Sequence, residues 1–170
     1  MSEKLSLTSP VLLESSHCVD DFDCGNPELN HYIQRFAFIN NQHGAARTFV
    51  AVRNNKIAGY HTLTIGSVSK DEAPQRISQG LAKHPVPVVI VARLAVDKRF
   101  HGKGIGQALL KNALLRIARA ADEIGGRAVL VHAKNDEAKA FYLKFGFEPS
   151  PTDRFHLYLL MKDIKKTIQN

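Results

Sequence analysis

The chain has 170 residues, 44% of them hydrophobic and 23% charged, with two cysteines, no tryptophan and a net charge of +7. That length is enough for one domain, expected over 1–170, to bury a core without help from disulfides or a metal. No apolar run approaches the roughly 20 residues needed to cross a bilayer, and residues 1–17 lack the apolar stretch of a secretory signal, which argues against a membrane span and predicts a cytoplasmic location.

The charge is unevenly spread, with a net −4 over residues 1–26 and a net +11 over residues 27–170. A basic body of this kind suits a polyanionic partner, such as a nucleotide cofactor, RNA or an acidic protein segment. Cys18 and Cys24 have neither CxxC spacing nor a second cysteine pair to complete a zinc site, and no histidine pair has HExxH-type spacing. No metal site is predicted.

In chain order, residues 9–13 read as an extended start, and 22–27 as a dense turn that opens a helix. Asn26 is placed to cap it, Pro27 to occupy its first position and Glu28 to complement its dipole. Leu29, Tyr32, Ile33, Phe36 and, less regularly, Phe38 and Ile39 give one helix an apolar face. Residues 48–52 and 57–65 are β-rich and separated by Arg53-Asn54-Asn55-Lys56, which predicts an antiparallel hairpin. Residues 69–87 form a long polar connection, expected as a functional loop or as one holding a short helix near 73–79.

Residues 88–96 are almost continuously apolar and rich in β-branched side chains, as in a strand buried on both faces. The following helix carries Ile105, Leu109, Ala113, Ile117, Ala120 and Ile124 on one stripe and ends at Gly125-Gly126. A strand at 128–131 should run parallel to 88–96, because a helix intervenes. A helix at 136–145 closed by Gly146 and a last strand at 155–161 complete the pattern.

The strongest chemical signal is the strand at 88–96 followed by Arg99-Phe100-His101-Gly102-Lys103-Gly104-Ile105-Gly106 and then a helix. Glycines at 102, 104 and 106 let the backbone take turn dihedrals and bring consecutive N–H groups onto an anion. The first-turn amides of the helix add to that field, and Arg99, His101 and Lys103 complement a pyrophosphate. The turn lacks the GxxxxGK[ST] spacing of a P-loop and the acidic ribose contact of a dinucleotide-binding unit. Asn135 is placed either to cap the next helix or to hydrogen-bond an amide-bearing cofactor arm. Tyr142, taken alone, reads as a core tyrosine whose hydroxyl reaches water.

Together, RxxGxG after a β-run and, about 35 residues later, Asn-Asp-x-Ala-x-x-Phe-Tyr-x-x-x-Gly-Phe resemble the GNAT N-acetyltransferase superfamily over about residues 48–162. The resemblance implies a mixed α/β fold, with a mostly antiparallel central sheet, one parallel and splayed strand pair, and flanking helices. It also implies acetyl-CoA as donor, its pyrophosphate on Gly102 to Gly106 and its pantetheine arm along Leu94, Ala95 and Val96, with Asn135 assisting. Tyr142 would then face the thioester sulfur as general acid, a role of order 10²- to 10⁴-fold. Backbone N–H groups of Leu94 to Val96 would stabilise charge on the acetyl oxygen.

The segment Phe22-Asp23-Cys24-Gly25-Asn26-Pro27-Glu28-Leu29-Asn30-His31-Tyr32-Ile33, with Ala92-Arg93-Leu94-Ala95-Val96-Asp97, is similar to the GNAT toxins of type II toxin–antitoxin systems. That narrower likeness implies acetylation of the α-amino group of aminoacyl-tRNA, a block of translation, a ribbon-helix-helix antitoxin and a homodimer. Arg35, Arg47, Arg53, Lys70, Arg76, Lys83 and Arg93 are the candidate RNA contacts ahead of the turn, with Arg93 alternatively part of a structural or active-site pair. Three other readings remain open: an acetyltransferase for a small-molecule or protein amine, an acetyl-CoA sensor without chemistry, and a nucleic-acid-binding protein whose glycine turn is only a loop.

Overall fold

The computed structural model describes residues 7–82 and 84–168. In chain order the elements are β1 (Val11–Leu12), α1 (Pro27–Arg35), α2 (Ala37–His43), β2 (Arg47–Arg53), β3 (Lys56–Val68), α3 (Gln75–Ser78), β4 (Val86–Val96), α4 (Ile105–Ile124), β5 (Ala128–His132), α5 (Asp136–Leu143), β6 (Glu148–Pro149), β7 (His156–Leu160) and α6 (Ile164–Ile168). The β1–β2, β2–β3, β5–β7 and β6–β7 ladders are antiparallel and β4–β5 is parallel, as the mixed α/β reading requires. Two compact units can be separated: one holds the chain up to Thr64 together with Arg93–Ala113, the other Ile65–Ala92 together with the chain from Leu114 onward.

In the first unit, Asn26 takes an extended conformation and its Oδ1 accepts from the amides of Glu28 (3.0 Å) and Leu29 (3.4 Å), so α1 starts where its cap and Pro27 predict. The single helix expected through Ile39 is instead two, broken at Phe36, whose φ of −119° leaves the helical range. The physical reason lies in the apolar spacing. Tyr32, Ile33 and Ala37 are buried in the core, whereas Phe36, Phe38 and Ile39 are 49%, 36% and 51% exposed. Gly44 closes α2 in the left-handed region at φ 70°.

The β2–β3 hairpin turns on Asn54 and Asn55, both at positive φ (54° and 59°), the signature of a type I′ turn whose twist matches the strands. Its register runs from Arg53↔Lys56 to Arg47↔Leu63, with an irregularity at Ala51/Val52, and β1 adds to β2. Gly59 of β3 is fixed by close packing: a Cβ there would lie 2.8 Å from both the carbonyl oxygen of Ala95 and Cδ1 of Leu109. Absence of a side chain at that point lets the start of α4 sit on the strand.

In the second unit, the parallel ladder runs from Val88↔Ala128 to Val91↔Val131, while β4 itself continues to Val96. Antiparallel β7 follows β5 from Ala128↔Leu160 to His132↔His156, and β6, a two-residue strand absent from the sequence reading, pairs β7. The expectation of a strand buried on both faces holds only in part: Val88, Val89 and Val91 are buried, but Ala92, Arg93, Leu94 and Val96 are half-buried. Helix α3 is one turn, shorter than expected, and is held by the Arg127 guanidinium donating to the carbonyl of Ile77 (2.9 Å). Among the described residues no helix is long and apolar enough to cross a membrane.

Candidate active site

The glycine turn has two kinds of glycine. Gly102 and Gly104 stand at φ 76° and 77°, where an L side chain is strained, and a Cβ on either would meet nothing within 4 Å. Glycine therefore supplies dihedral freedom and an uncovered backbone here, as an anion cradle needs. Gly106 departs from the expectation of three turn glycines, because it lies inside α4. The amide of Ala108 bonds the carbonyl of Gly104 (3.2 Å), so the helix begins at Ile105 and its first-turn amides have no partner within the helix.

The residues around the turn are braced by a carboxylate that sequence reasoning did not single out. Asp97 is fully buried and accepts from the Asp23 amide (3.1 Å), from the Arg99 amide (2.9 Å), and from Arg99 Nε and Nη2 (2.9 Å each). Burial is the largest influence on its pKa and acts upward, but the bonds from Arg99 and the two amides outweigh it, and the carboxyl is held below its ordinary value. Arg99, expected beside the phosphates, thus has its guanidinium engaged by Asp97, with Asp21 at 3.5 Å. The signal that points to Asp97 is a short acid two residues before an arginine, at the start of a 3-10 turn over Lys98–Phe100.

The segment from Phe22 to Asn30 closes the same network. Asp23 accepts from the Gly25 amide and the Asn30 side chain, pairs with Lys98 (2.8 Å), and offers its carbonyl to the Lys98 amide (2.9 Å). The N-terminal turn that resembles the toxins is therefore the clasp of the loop entering the glycines. His101 Nε2 lies 2.7 Å from the Val96 carbonyl; an oxygen can only accept, so Nε2 carries a proton. Lys103 is exposed, with its ammonium 5.9 Å from the centre of the Phe100 ring.

In the second unit, Asn135 caps α5, its Oδ1 accepting from the Ala138 amide (2.8 Å). Of the two roles open to this residue, the oxygen performs the first; its amide nitrogen remains a donor for the second. Tyr142 is 8% exposed and lies edge-on to Phe141 and Phe147, with ring centroids at 5.1 and 5.5 Å. Burial alone pushes its phenol up to about 12, so it stays protonated across the physiological range. On the paired strands β5 and β7, His132 and His156 stack at 4.0 Å, and Asp153 lies 3.3 Å from His156 Nε2.

The basic residues ahead of the turn divide into engaged and available. Arg76 pairs with Asp163 and Glu148, Arg47 donates to the Asn41 carbonyl, Lys70 donates to the Leu81 carbonyl, and Arg53 approaches the Phe100 ring. Arg35 is exposed on α1. The Arg93 guanidinium sits 3.6 Å above the Tyr32 ring, so its partner is an aromatic face. Lys83 lies outside the described residues.

The family described as Acetyltransferase (GNAT) family matches residues 13–147. A tRNA-acetylating toxin of Mycobacterium tuberculosis is 44% identical over 161 residues, covering 95% of this chain and 96% of the relative. Among solved structures, the Y145F mutant of KacT superposes with a TM-score of 0.88 at 25% identity, covering 94% of this chain and 98% of that one. AtaTR bound with AcCoA superposes with a TM-score of 0.80 at 26% identity, covering 94% and 96%.

Proposed function

Because the chain belongs to the acetyltransferase (GNAT) family, we propose that it transfers the acetyl group of acetyl-CoA to the α-amino group of aminoacyl-tRNA and so stops translation. The observation that carries this reading is the 44% identity, over nearly the whole of both chains, to a tRNA-acetylating toxin. The reading takes residues 1–170 as one catalytic domain, supported by a family match that runs through both compact units. It also takes the protein as a cytoplasmic homodimer silenced by a ribbon-helix-helix antitoxin, on the likeness of its motifs to toxins of that class.

Acetyl-CoA, when bound, supplies an activated thioester. Backbone amides over Gly102, Lys103, Gly104, Ile105 and Gly106 hold its diphosphate, with Lys103 and His101 at the rim and Arg99, fixed by Asp97, keeping the loop in shape. Amides of Leu94, Ala95 and Val96 and the Asn135 side-chain nitrogen align the pantetheine arm. Tyr142 hydrogen-bonds the departing sulfur. With the phenol pushed up to about 12, Tyr142 keeps its proton at neutral pH and is a weaker acid than an alkyl thiol in water, near the cysteine value of about 8.5. Tyr142 therefore acts chiefly by donating a strong hydrogen bond while the C–S bond breaks, and the proton lost by the amine settles the final balance on the thiol.

The test is incubation of charged tRNA with the protein and acetyl-CoA, followed by mass spectrometry of the terminal aminoacyl-adenosine. N-acetylation of the aminoacyl group is expected. Acetylation of free small-molecule or protein amines with charged tRNA untouched overturns the assignment. Growth arrest on expression, relieved by a small gene product encoded next to this one, checks the partner.

A further inference from the structure

An exposed stripe on α1 and α2 stands apart from the machinery above. Phe36 and Ile39, three residues apart at the helix junction, are 49% and 51% exposed, and His31 lies edge-on to Phe36 with ring centroids at 5.2 Å and planes at 71°. His43, one turn beyond Ile39, is exposed as well. Neighbouring apolar side chains left on a helix corner, when Tyr32, Ile33 and Ala37 of the same segment are buried, mark a contact surface. From residue 29 to residue 70 the sequence holds no Asp or Glu and five Lys or Arg, of which Arg35 is exposed beside Phe36; the nearest acid along the chain is Glu28 in the first turn of α1. The junction is also tied to the strand ahead of the glycine turn, through Arg93 over Tyr32 and through the Asn40 side chain donating to the Tyr32 hydroxyl (3.2 Å).

We propose that Phe36, framed by His31 and Ile39 and flanked by Arg35, is a stacking platform for an unpaired base at the acceptor end of the nucleic acid. An exposed aromatic ring with an arginine next to it is what single-stranded nucleic acid recognises, because every base has a π-face and every linkage a phosphate. A second copy of this chain is the poorer occupant. Two adjacent apolar side chains fall well short of the roughly 800 Å² per partner of a stable interface, and the same cations would face one another across a symmetric contact. This inference rests on aminoacyl-tRNA being the substrate, and it adds which side chain grips the strand.

The experiment compares the full-length protein with Phe36→Ala and Phe36→Trp. Both should fold, since the ring is half exposed, and circular dichroism melts check this. In steady state with charged tRNA, Phe36→Ala should raise the KM for tRNA by about ten-fold or more, within the range of one lost stacking contact. The kcat and the KM for acetyl-CoA should stay within about two-fold, and Phe36→Trp should restore the KM for tRNA. Unchanged KM in Phe36→Ala overturns the platform, and so does a KM change accompanied by a lower sedimentation mass, which would make the stripe a protein interface. Binding of a single-stranded oligonucleotide carrying 2-aminopurine near its 3′ end is read without turnover: quenching by the unmodified protein, lost in Phe36→Ala, supports the platform, and equal quenching by both overturns it. If charged tRNA is not acetylated at all, the proposed function fails, while the fluorescence still decides the stacking surface.

Discussion

The glycine turn and the surroundings of Tyr142 solve opposite problems. At the turn, a loop that must offer bare amides to an anion is held in shape by charge: Asp97 collects four bonds from Asp23 and Arg99, and Asp23 and Asp21 add pairs with Lys98 and Lys56. At Tyr142, a hydroxyl that must keep its proton is packed against aromatic rings, and burial alone raises its pKa. A ligand-gripping loop gains from polar ties because its own backbone cannot pair internally, whereas a proton donor gains from desolvation because water would compete for the proton.

The contrast is broken most strongly at Tyr142. Tyr142→Phe keeps the ring packing and removes only the donor, so kcat should fall by about 10²- to 10⁴-fold, with the dissociation constant of acetyl-CoA changed little. Stopped-flow turnover and calorimetric titration check the two halves. Because the phenol is pushed up to about 12, the kcat profile should show no loss on the basic side up to pH 9 attributable to this group. Full activity in the variant sinks the assignment.

Asp97→Ala strikes the other region. It leaves the Asp23 and Arg99 amides without their acceptor and should cost about 3 kcal/mol of stability, measured by urea unfolding. Asp97→Asn keeps one oxygen for the amides and should cost less. Gly104→Ala is milder still. Nothing lies within 4 Å of the added carbon, so the penalty is that of a left-handed dihedral, about 1–2 kcal/mol. It should appear as weaker acetyl-CoA binding, by roughly ten-fold, if the turn relaxes to escape it.

The sequence made these regions legible to different degrees. The β4–turn–α4 unit was readable because apolar run, glycines and amphipathic stripe agree on one answer, and Asn26, Pro27 and the Asn54-Asn55 turn sit where their local chemistry directs. The break at Phe36 was foreshadowed by irregular apolar spacing but hidden by the high helix content on both sides. Asp97 was obscured because one of its donors, the Asp23 amide, comes from 74 residues away. The basic residues looked alike in one dimension, and only tertiary partners separate Arg76, paired with acids, from Arg93, seated on a tyrosine. Tyr142 stood out by motif alone, since nothing in its own spacing distinguishes a buried phenol from any core tyrosine.

Acid sharpens the comparison with the smallest effect. In the second unit, burial first and the neighbouring His156 next lower the pKa of His132 from its ordinary 6.5. A depressed folded value means the unfolded chain binds the proton first, so this stack contributes stability above pH 6.5 and loses it as pH falls through the folded pKa. In the first unit, Asp21 is lowered first by its bond from Lys56, Asp23 by its bond from Lys98, and Asp97 by Arg99 against burial, all from 3.8. Their contribution is present above pH 3.8 and is lost only as pH falls further. Backbone amide exchange followed by NMR should therefore show residues 128–132 and 156–160 losing protection first, below pH 6.5, while residues 97–99 hold until below pH 4. His132→Gln should remove the upper step and leave the lower one. Simultaneous loss of both sets at one pH would mean that the two regions are not stabilised by separate means, because a shared titration would leave no place for a histidine stack at one and a carboxylate network at the other.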